Sequence, residues 1–196
     1  MTRITTYEVR PDEDERFLAA WDASRVARGD ASSMLHQAWR DDVAFRFVEV
    51  TRTRAGVSPF DEPAGGDAGE SAGGDAVAHS GVYEVVHEDG APDGSQGVVL
   101  VNPFEVPADA DERFLAGWHA VRDVLATQRG YLGTRLYRSV EATVRVEATV
   151  RFRFVNVARW SSPLMYSKAL QHPAFEPAAA AVPFPAHPAL YQVIRG

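Results

Sequence analysis

The chain has 196 residues, of which 45% are hydrophobic and 24% charged, enough for one globular core or two small ones and unlike a disordered tail. Its net charge of −7 argues against a general nucleic-acid-binding surface, which needs clustered Lys and Arg. The chain has no cysteine and a single lysine, Lys168, which excludes disulfides and thiol nucleophiles and leaves little scope for lysine-based covalent catalysis.

The N-terminal segment "MTRITTYEVR" lacks the apolar centre of an export signal. Nowhere does the chain contain the run of about 18 apolar residues that would indicate a membrane span. We therefore expect a cytoplasmic protein that binds neither nucleic acid nor membrane.

An internal repeat organises the chain. "DERFLAAW" at 14–21 returns as "DERFLAGW" at 111–118, and "FRFVEV" at 45–50 returns as "FRFVNV" at 152–157. The segment "VEATVR" occurs twice in succession at 140–151, which would lengthen a hairpin without exchanging its faces because strands have a period of two. The repeat predicts two units, residues 1–96 and 97–196, each ordered strand, helix, strand, strand, connection, strand.

In the first half, Phe17, Leu18, Trp21 and Val26 form the apolar stripe of a helix. Strands are predicted at 45–50 and 81–88. Between them, about 55–79, the composition of Gly, Ala, Asp and Ser predicts a mobile loop, because such a segment buries too little apolar surface to become ordered.

In the second half, "GVVLVNPFEV" is predicted as a strand and 110–128 as a helix ended by Gly130. Two strands follow, "YLGTRLYRSV" and "TVRFRFVNVARW", and then a shorter helix opened by Ser161 or Ser162 and Pro163. The segment "HPALYQVIRG" is predicted as the last strand.

An asparagine interrupts the apolar side of one of these strands. Alternation places Phe152, Phe154, Asn156 and Ala158 on one face, with Trp160 four residues after the asparagine. An unpaired buried amide costs about 1–3 kcal/mol, so Asn156 should have a partner in the protein or in a ligand. With the hydroxyl of Tyr166 aimed from the next helix, the pattern predicts an apolar slot for a flat aromatic substrate.

These segments resemble the dimeric αβ-barrel superfamily, and specifically its antibiotic biosynthesis monooxygenase domain. The motifs that carry the resemblance are "VNPFEVPADADERFLAGW", "QRGYLGTRLYR" and "RFVNVARWSSPLMY". The resemblance implies an α+β fold in which two tandem ferredoxin-like units form a barrel within one chain. Such a chain could still form a homodimer.

The spacing of Asn156, Trp160 and Tyr166 resembles that of cofactor-independent anthrone oxygenases, which implies a catalytic role for these three residues. It implies that an aromatic polyketide is oxidised by O2 without flavin, haem or metal. Some oxygenases have a histidine where this chain has Tyr137, so the proton acceptor stays open. The further residues expected to bind substrate are Phe152, Phe154, Arg135 and Tyr137.

Alternatives follow from the same pattern. The pocket could close a polyketide ring without O2, or the protein could bind a pathway intermediate without catalysis. Asn102 and His172 resemble, loosely, the arrangement in haem-degrading relatives. Because Glu49 and Thr53 stand in the first half where Asn156 and Trp160 stand in the second, we expect one site per chain.

Overall fold

The structure, a computed structural model, describes residues 1–28, 32–52, 76–92, 96–140 and 150–196. The first half contains β1 (Thr2–Glu8), α1 (Asp14–Arg28), β2 (Ser33–Ala38), β3 (Phe47–Arg52) and β4 (Val77–Gly90). The second half contains β5 (Val98–Phe104), α2 (Asp111–Ala126), β6 (Tyr131–Ser139), β7 (Phe154–Trp160), α3 (Pro163–Ala169), α4 (Phe175–Ala179) and β8 (Ala189–Arg195). Short 3-10 turns precede α1 and α2.

The strands pair antiparallel in the order β1-β3-β2-β8-β5-β7-β6-β4, which closes into a barrel. The predicted fold class, α+β with an intrachain barrel, is therefore confirmed. None of the helices in the described part of the chain is long and apolar enough to cross a membrane.

Contacts divide the chain into two compact units. Unit 1 comprises Met1–Glu84, Ser139–Val150 and Tyr191–Gly196, and unit 2 comprises Val85–Arg138 and Arg151–Leu190. These units differ from the repeat halves because β4 and β8 each contribute residues to both. The boundary between residues 96 and 97 therefore stays a prediction about the repeat.

The two units have matching aromatic cores. In unit 1, Phe17 of α1 stacks on Phe47 of β3 with ring centroids 4.4 Å apart. In unit 2, Phe114 of α2 stacks on Phe154 of β7 at 4.3 Å. Each helix thus packs aromatic side chains on the sheet, although Val26, which was predicted in the apolar stripe of α1, is 81% exposed and is not part of the core.

Some predicted features lie outside the described residues, namely the repeated "VEATVR" hairpin over 141–149 and the loop over 53–75. Residues 77–79, which we assigned to that loop, instead begin β4. Their pairing with β1, where Val77 lies opposite Glu8, gives these backbone groups hydrogen-bond partners that composition alone does not reveal.

Candidate functional site

The candidate site lies in unit 2, on the face of β7 that packs against α2. Phe154 marks this face because it stacks on Phe114 of α2. Since side chains alternate along a strand, Asn156, Ala158 and Trp160 share the face with it. Ala158 is the smallest of the four, so the sheet surface between the amide and the indole carries little side-chain bulk.

Asn156 is 9% exposed and lies opposite Leu136 of β6 and Asn102 of β5. Its Oδ1 accepts a hydrogen bond from the hydroxyl of Thr134 at 2.7 Å. Because the amide oxygen is occupied in this way, the NH2 group is the part of the amide available to a ligand. A donor at this position suits a carbonyl or enolate oxygen.

Asn102 contributes a second amide directly across the β5–β7 pair. Its Oδ1 is buried and has no hydrogen-bond partner among the described residues. An unpaired buried acceptor of this kind costs about 1–3 kcal/mol. Sequence reasoning weighed Asn102 only in connection with haem, but an isolated polar residue in the β-branched run "VVLVNPF" is a signal that could have identified it.

Trp160 is fully buried, and its Nε1 also lacks a hydrogen-bond partner within the described part of the chain. The rings of Tyr131 and Tyr166 both approach the indole edge-on, with centroids 5.5 Å away. Strand rise is about 3.3 Å per residue, so the Cα atoms of Asn156 and Trp160 are about 13 Å apart along β7. The polar groups are thus spread over a length that suits a polycyclic ligand.

Unpaired buried atoms also occur elsewhere, at Trp21 Nε1 and Ser139 Oγ. What distinguishes Asn102 and Trp160 is that both flank Asn156 on one face of one sheet. The face therefore offers an acceptor and two donors to a bound molecule.

Tyr166 lies on α3, which begins where the Oγ of Ser162 accepts a hydrogen bond from the backbone N–H of Met165 at 3.3 Å. Burial raises the pKa of Tyr166 to about 12, because the phenolate is poorly solvated in the protein. The residue is therefore a neutral phenol at physiological pH. No described residue forms a hydrogen bond with its hydroxyl, which can act as a proton donor.

Tyr131 is held by a polar network behind Trp160. Its hydroxyl donates to Asp89 Oδ1 at 2.7 Å, and Asp89 also accepts from Arg122 Nε at 2.6 Å and contacts His87 Nε2 at 3.1 Å. Burial raises the pKa of Asp89, but the hydrogen bonds from Tyr131, His87 and Arg122 outweigh it and lower the pKa below its ordinary value. A charged Asp89 thus fixes one of the two rings that contact Trp160.

Other predicted substrate contacts lie elsewhere. Tyr137 and Arg135 are opposite Val155 and Val157 of β7, so they point to the other face of the sheet from Asn156. Arg135 forms an ion pair with Glu88 at 2.5 Å. Phe152 precedes β7, and its ring lies 5.7 Å from that of His187. Their substrate roles stay predictions, and the site proposed below is built without them.

The two residues considered for haem are not brought together by any described contact. Asn102 lies in β5, whereas His172 is exposed in the turn after α3, where its Nδ1 accepts the backbone N–H of Ala174 at 3.2 Å. Within the described ranges, no group of three or more His, Asp or Glu side chains could hold a metal ion.

In unit 1, Glu49 has the position that Asn156 has in unit 2. Glu49 is 6% exposed, and its two carboxylate oxygens accept from the hydroxyl of Tyr7 at 2.7 Å and from Arg28 at 3.4 Å. This carboxylate is already paired within the protein. Thr53, the counterpart of Trp160, lies outside the described residues.

Comparison with known proteins identifies a family for the second half of the chain. Residues 97–181 match the family described as antibiotic biosynthesis monooxygenase. A candidate monooxygenase from Shewanella loihica PV-4 is 38% identical over 50% of this chain and 95% of its own, with a TM-score of 0.42.

Two further solved structures are similar. An anthrone oxidase-like protein covers 99% of this chain and 91% of its own at 13% identity, and its TM-score of 0.73 shows a shared fold. SnoaB, a cofactor-independent oxygenase from Streptomyces nogalater, is 24% identical over 50% of this chain and 94% of its own, with a TM-score of 0.43. No curated protein matches the chain.

Proposed function

The chain belongs to the antibiotic biosynthesis monooxygenase family through residues 97–181 and has a monooxygenase-type function, and we propose that it oxidises a polycyclic aromatic polyketide, of the anthrone or hydroquinone type, to a quinone with O2 and without a cofactor. The observation that carries the proposal is the pair of unpartnered buried polar atoms, Asn102 Oδ1 and Trp160 Nε1, which belong to the same sheet face as Asn156.

The hydrogen-bonding pattern of the site complements such a substrate. The NH2 group of Asn156 donates to the carbonyl oxygen of the anthrone, and Oδ1 of Asn102 accepts from a neighbouring phenol hydroxyl. Donation to the oxygen favours the enolate, because negative charge develops there when the substrate loses its proton. The proton leaves to solvent, since neutral Tyr166 is a donor and not a base at physiological pH.

The substrate itself supplies the electrons. The enolate gives one electron to O2, and the substrate radical and superoxide then combine to form a carbon–oxygen bond. The resulting peroxide, protonated by the hydroxyl of Tyr166, loses water to leave the quinone. One O2 is consumed for each anthrone, with one oxygen atom in the quinone and the other in water.

The ring system packs over Ala158 and against the hydrophobic cluster that contains Trp160, Tyr131 and Tyr166. The indole is held edge-on by Tyr131 and Tyr166, so its plane is set before the ligand enters. Pre-organised aromatic surface binds a rigid polycycle with little loss of conformational entropy.

The test is O2 uptake by the purified full chain with an anthrone such as emodinanthrone, with EDTA present. We expect a colourless protein, one O2 consumed per anthrone and the absorbance of the quinone. A bound flavin or haem spectrum, or no O2 consumption across several anthrones, would contradict the proposal. Ring closure of a polyketide without O2 uptake would instead indicate a cyclase, and binding without turnover an accessory protein.

A further inference from the structure

An open cavity of about 620 Å³ lies in unit 2, next to the cluster that holds Trp160. One wall is the turn that joins α2 to β6, and the other is formed by Ser161, Ser162 and the helix α3. The cavity is lined by Gln128, Arg129, Gly130, Ser161, Ser162, Met165, Lys168 and Ala169.

The charge of this lining is opposite to that of the whole chain. The chain carries a net charge of −7, yet the lining contains two cations, Arg129 and Lys168, and no acidic residue. Both side chains are exposed, and neither charged group forms an ion pair or hydrogen bond with a residue that the structure describes. The cavity therefore presents two positive charges together with the hydroxyls of Ser161 and Ser162.

The floor of the cavity is shared with the proposed site. Met165 and Ala169 line the cavity and also pack in the hydrophobic cluster that contains Trp160 and Tyr166. Ser161 directly follows Trp160 in the chain. A ligand whose aromatic part contacts this cluster can therefore place a polar substituent in the cavity.

A glycine keeps the two walls close. The backbone N–H of Ser161 donates to the carbonyl of Gly130 at 2.7 Å. Gly130 has a φ of +89°, and a Cβ added there would lie 2.5 Å from the Cβ of Met165. A side chain at this position would both strain the backbone and displace Met165.

We propose that this cavity binds a carboxylate carried by the aromatic substrate, with Arg129 and Lys168 as the groups that recognise it. The inference deepens the proposed function and rests on it for the aromatic part of the ligand. Arg129 offers paired N–H donors that match a carboxylate, and Lys168 adds a mobile charge on the opposite wall. The site selects acidic polycycles over neutral ones.

The experiment measures binding to the full chain of two stable quinones, anthraquinone-2-carboxylate and 2-methylanthraquinone, by quenching of tryptophan fluorescence. We expect the carboxylate to bind more tightly, with a preference that weakens as salt is raised from about 0.01 to 0.5 M. Arg129→Gln and Lys168→Gln should each weaken carboxylate binding by about two- to fivefold, in line with exposed ion pairs, and leave the neutral quinone unchanged.

Arg16→Gln is the matched control, since Arg16 is an exposed arginine on α1 and should not affect either ligand. Equal affinity for the two quinones, binding of neither, or an unchanged preference in the Arg129 and Lys168 variants would overturn the proposal. Displacement of the carboxylate by an equal concentration of inorganic phosphate would assign a site for free anions instead.

Because binding is measured without turnover, the outcome is separable from that of the O2 assay. A carboxylate preference without oxidation would leave the cavity assignment standing and remove the oxygenase. Oxidation without the carboxylate preference would leave the oxygenase standing and remove the cavity assignment.

Discussion

Glu49 and Asn156 have the same register position in the two units. Glu49 lies opposite Thr5 and Leu35, and Asn156 lies opposite Asn102 and Leu136. The carboxylate of Glu49 is paired with Tyr7 and Arg28, whereas the amide of Asn156 keeps its NH2 group for a ligand. One unit thus satisfies this position internally, and the other leaves it open.

Replacing the site amide should lower turnover much more than stability. In Asn156→Ala the substrate oxygen loses its donor, so we expect kcat to fall about 10²- to 10³-fold, as for an oxyanion-stabilising group. Thr134→Val should have a smaller effect in the same direction, because it removes the hydrogen bond that orients the amide. The measurement is O2 uptake with anthrone together with the melting temperature. Full activity in Asn156→Ala would exclude the residue from the site.

The matched change in unit 1 should lower stability more than turnover. Glu49→Gln keeps the shape but weakens the charged pairing with Tyr7 and Arg28, so it should lower the free energy of unfolding by about 1–3 kcal/mol. Turnover should change by less than about tenfold, roughly 1.4 kcal/mol of barrier. Thr53→Ala should likewise leave turnover within this limit. If these variants abolish activity in a folded protein, the site lies in unit 1.

Trp160→Phe should affect both properties. The smaller ring leaves space beside Tyr131 and Tyr166 and removes the Nε1 donor, so we expect weaker binding of the aromatic ligand and a stability loss of about 1–3 kcal/mol. The complete burial of Trp160 makes this packing cost unavoidable. Ligand titration of the folded fraction, with chemical denaturation alongside, separates the two effects.

Two tyrosines that contact Trp160 should behave differently when their hydroxyls are removed. Tyr131→Phe deletes the bond to Asp89 and should lower stability by about 1–2 kcal/mol with little change in the chemical step. Tyr166→Phe breaks no hydrogen bond of the described structure, so stability should change by less than about 0.5 kcal/mol while kcat falls. Denaturation midpoints and single-turnover rates of the two variants measure this contrast, and equal kinetic effects would argue against Tyr166 as the donor.

Stability should decline at alkaline pH. Burial raises the pKa of Tyr166 to about 12. Burial is also the main cause of the larger upward shifts in the pKa values of Tyr131 and Tyr191. In the unfolded chain these tyrosines therefore lose their protons first, near the ordinary pKa of 10. Above that pH, and up to the raised pKa of the folded state, each tyrosine lowers the free energy of unfolding by about 1.4 kcal/mol per pH unit. This stability is complete below pH 10 and is lost above it.

The check is denaturation at several pH values together with phenolate absorbance at alkaline pH. In the wild-type protein, phenolate should appear mainly as the protein unfolds. Tyr166→Phe should reduce the slope of stability against pH. A constant stability from pH 9 to 12 would show that these side chains ionise as freely in the folded state as in the unfolded chain.

The local elements and the core were predictable because they follow from patterns of neighbouring residues. The apolar stripe of α2, with Phe114 and Trp118, depends on helical periodicity. The single face shared by Phe154, Asn156 and Trp160 depends on the two-residue period of a strand. The fold class followed from the repeat of these elements and from the resemblance that they carry.

Tertiary structure alone decided which residues from distant segments meet. Cross-strand register places Asn102 opposite Asn156 and puts Tyr137 and Arg135 on the other face of the sheet. Tertiary packing also pairs Glu49 of β3 with Tyr7 of β1 and Arg28 of α1. Register depends on which face of each strand is buried and on the turns that join the strands, and the sequence does not show which strands become neighbours. The sequence by itself therefore determined the strands, their apolar faces and the unusual asparagine, and only the assembled sheet decided the partners of that asparagine.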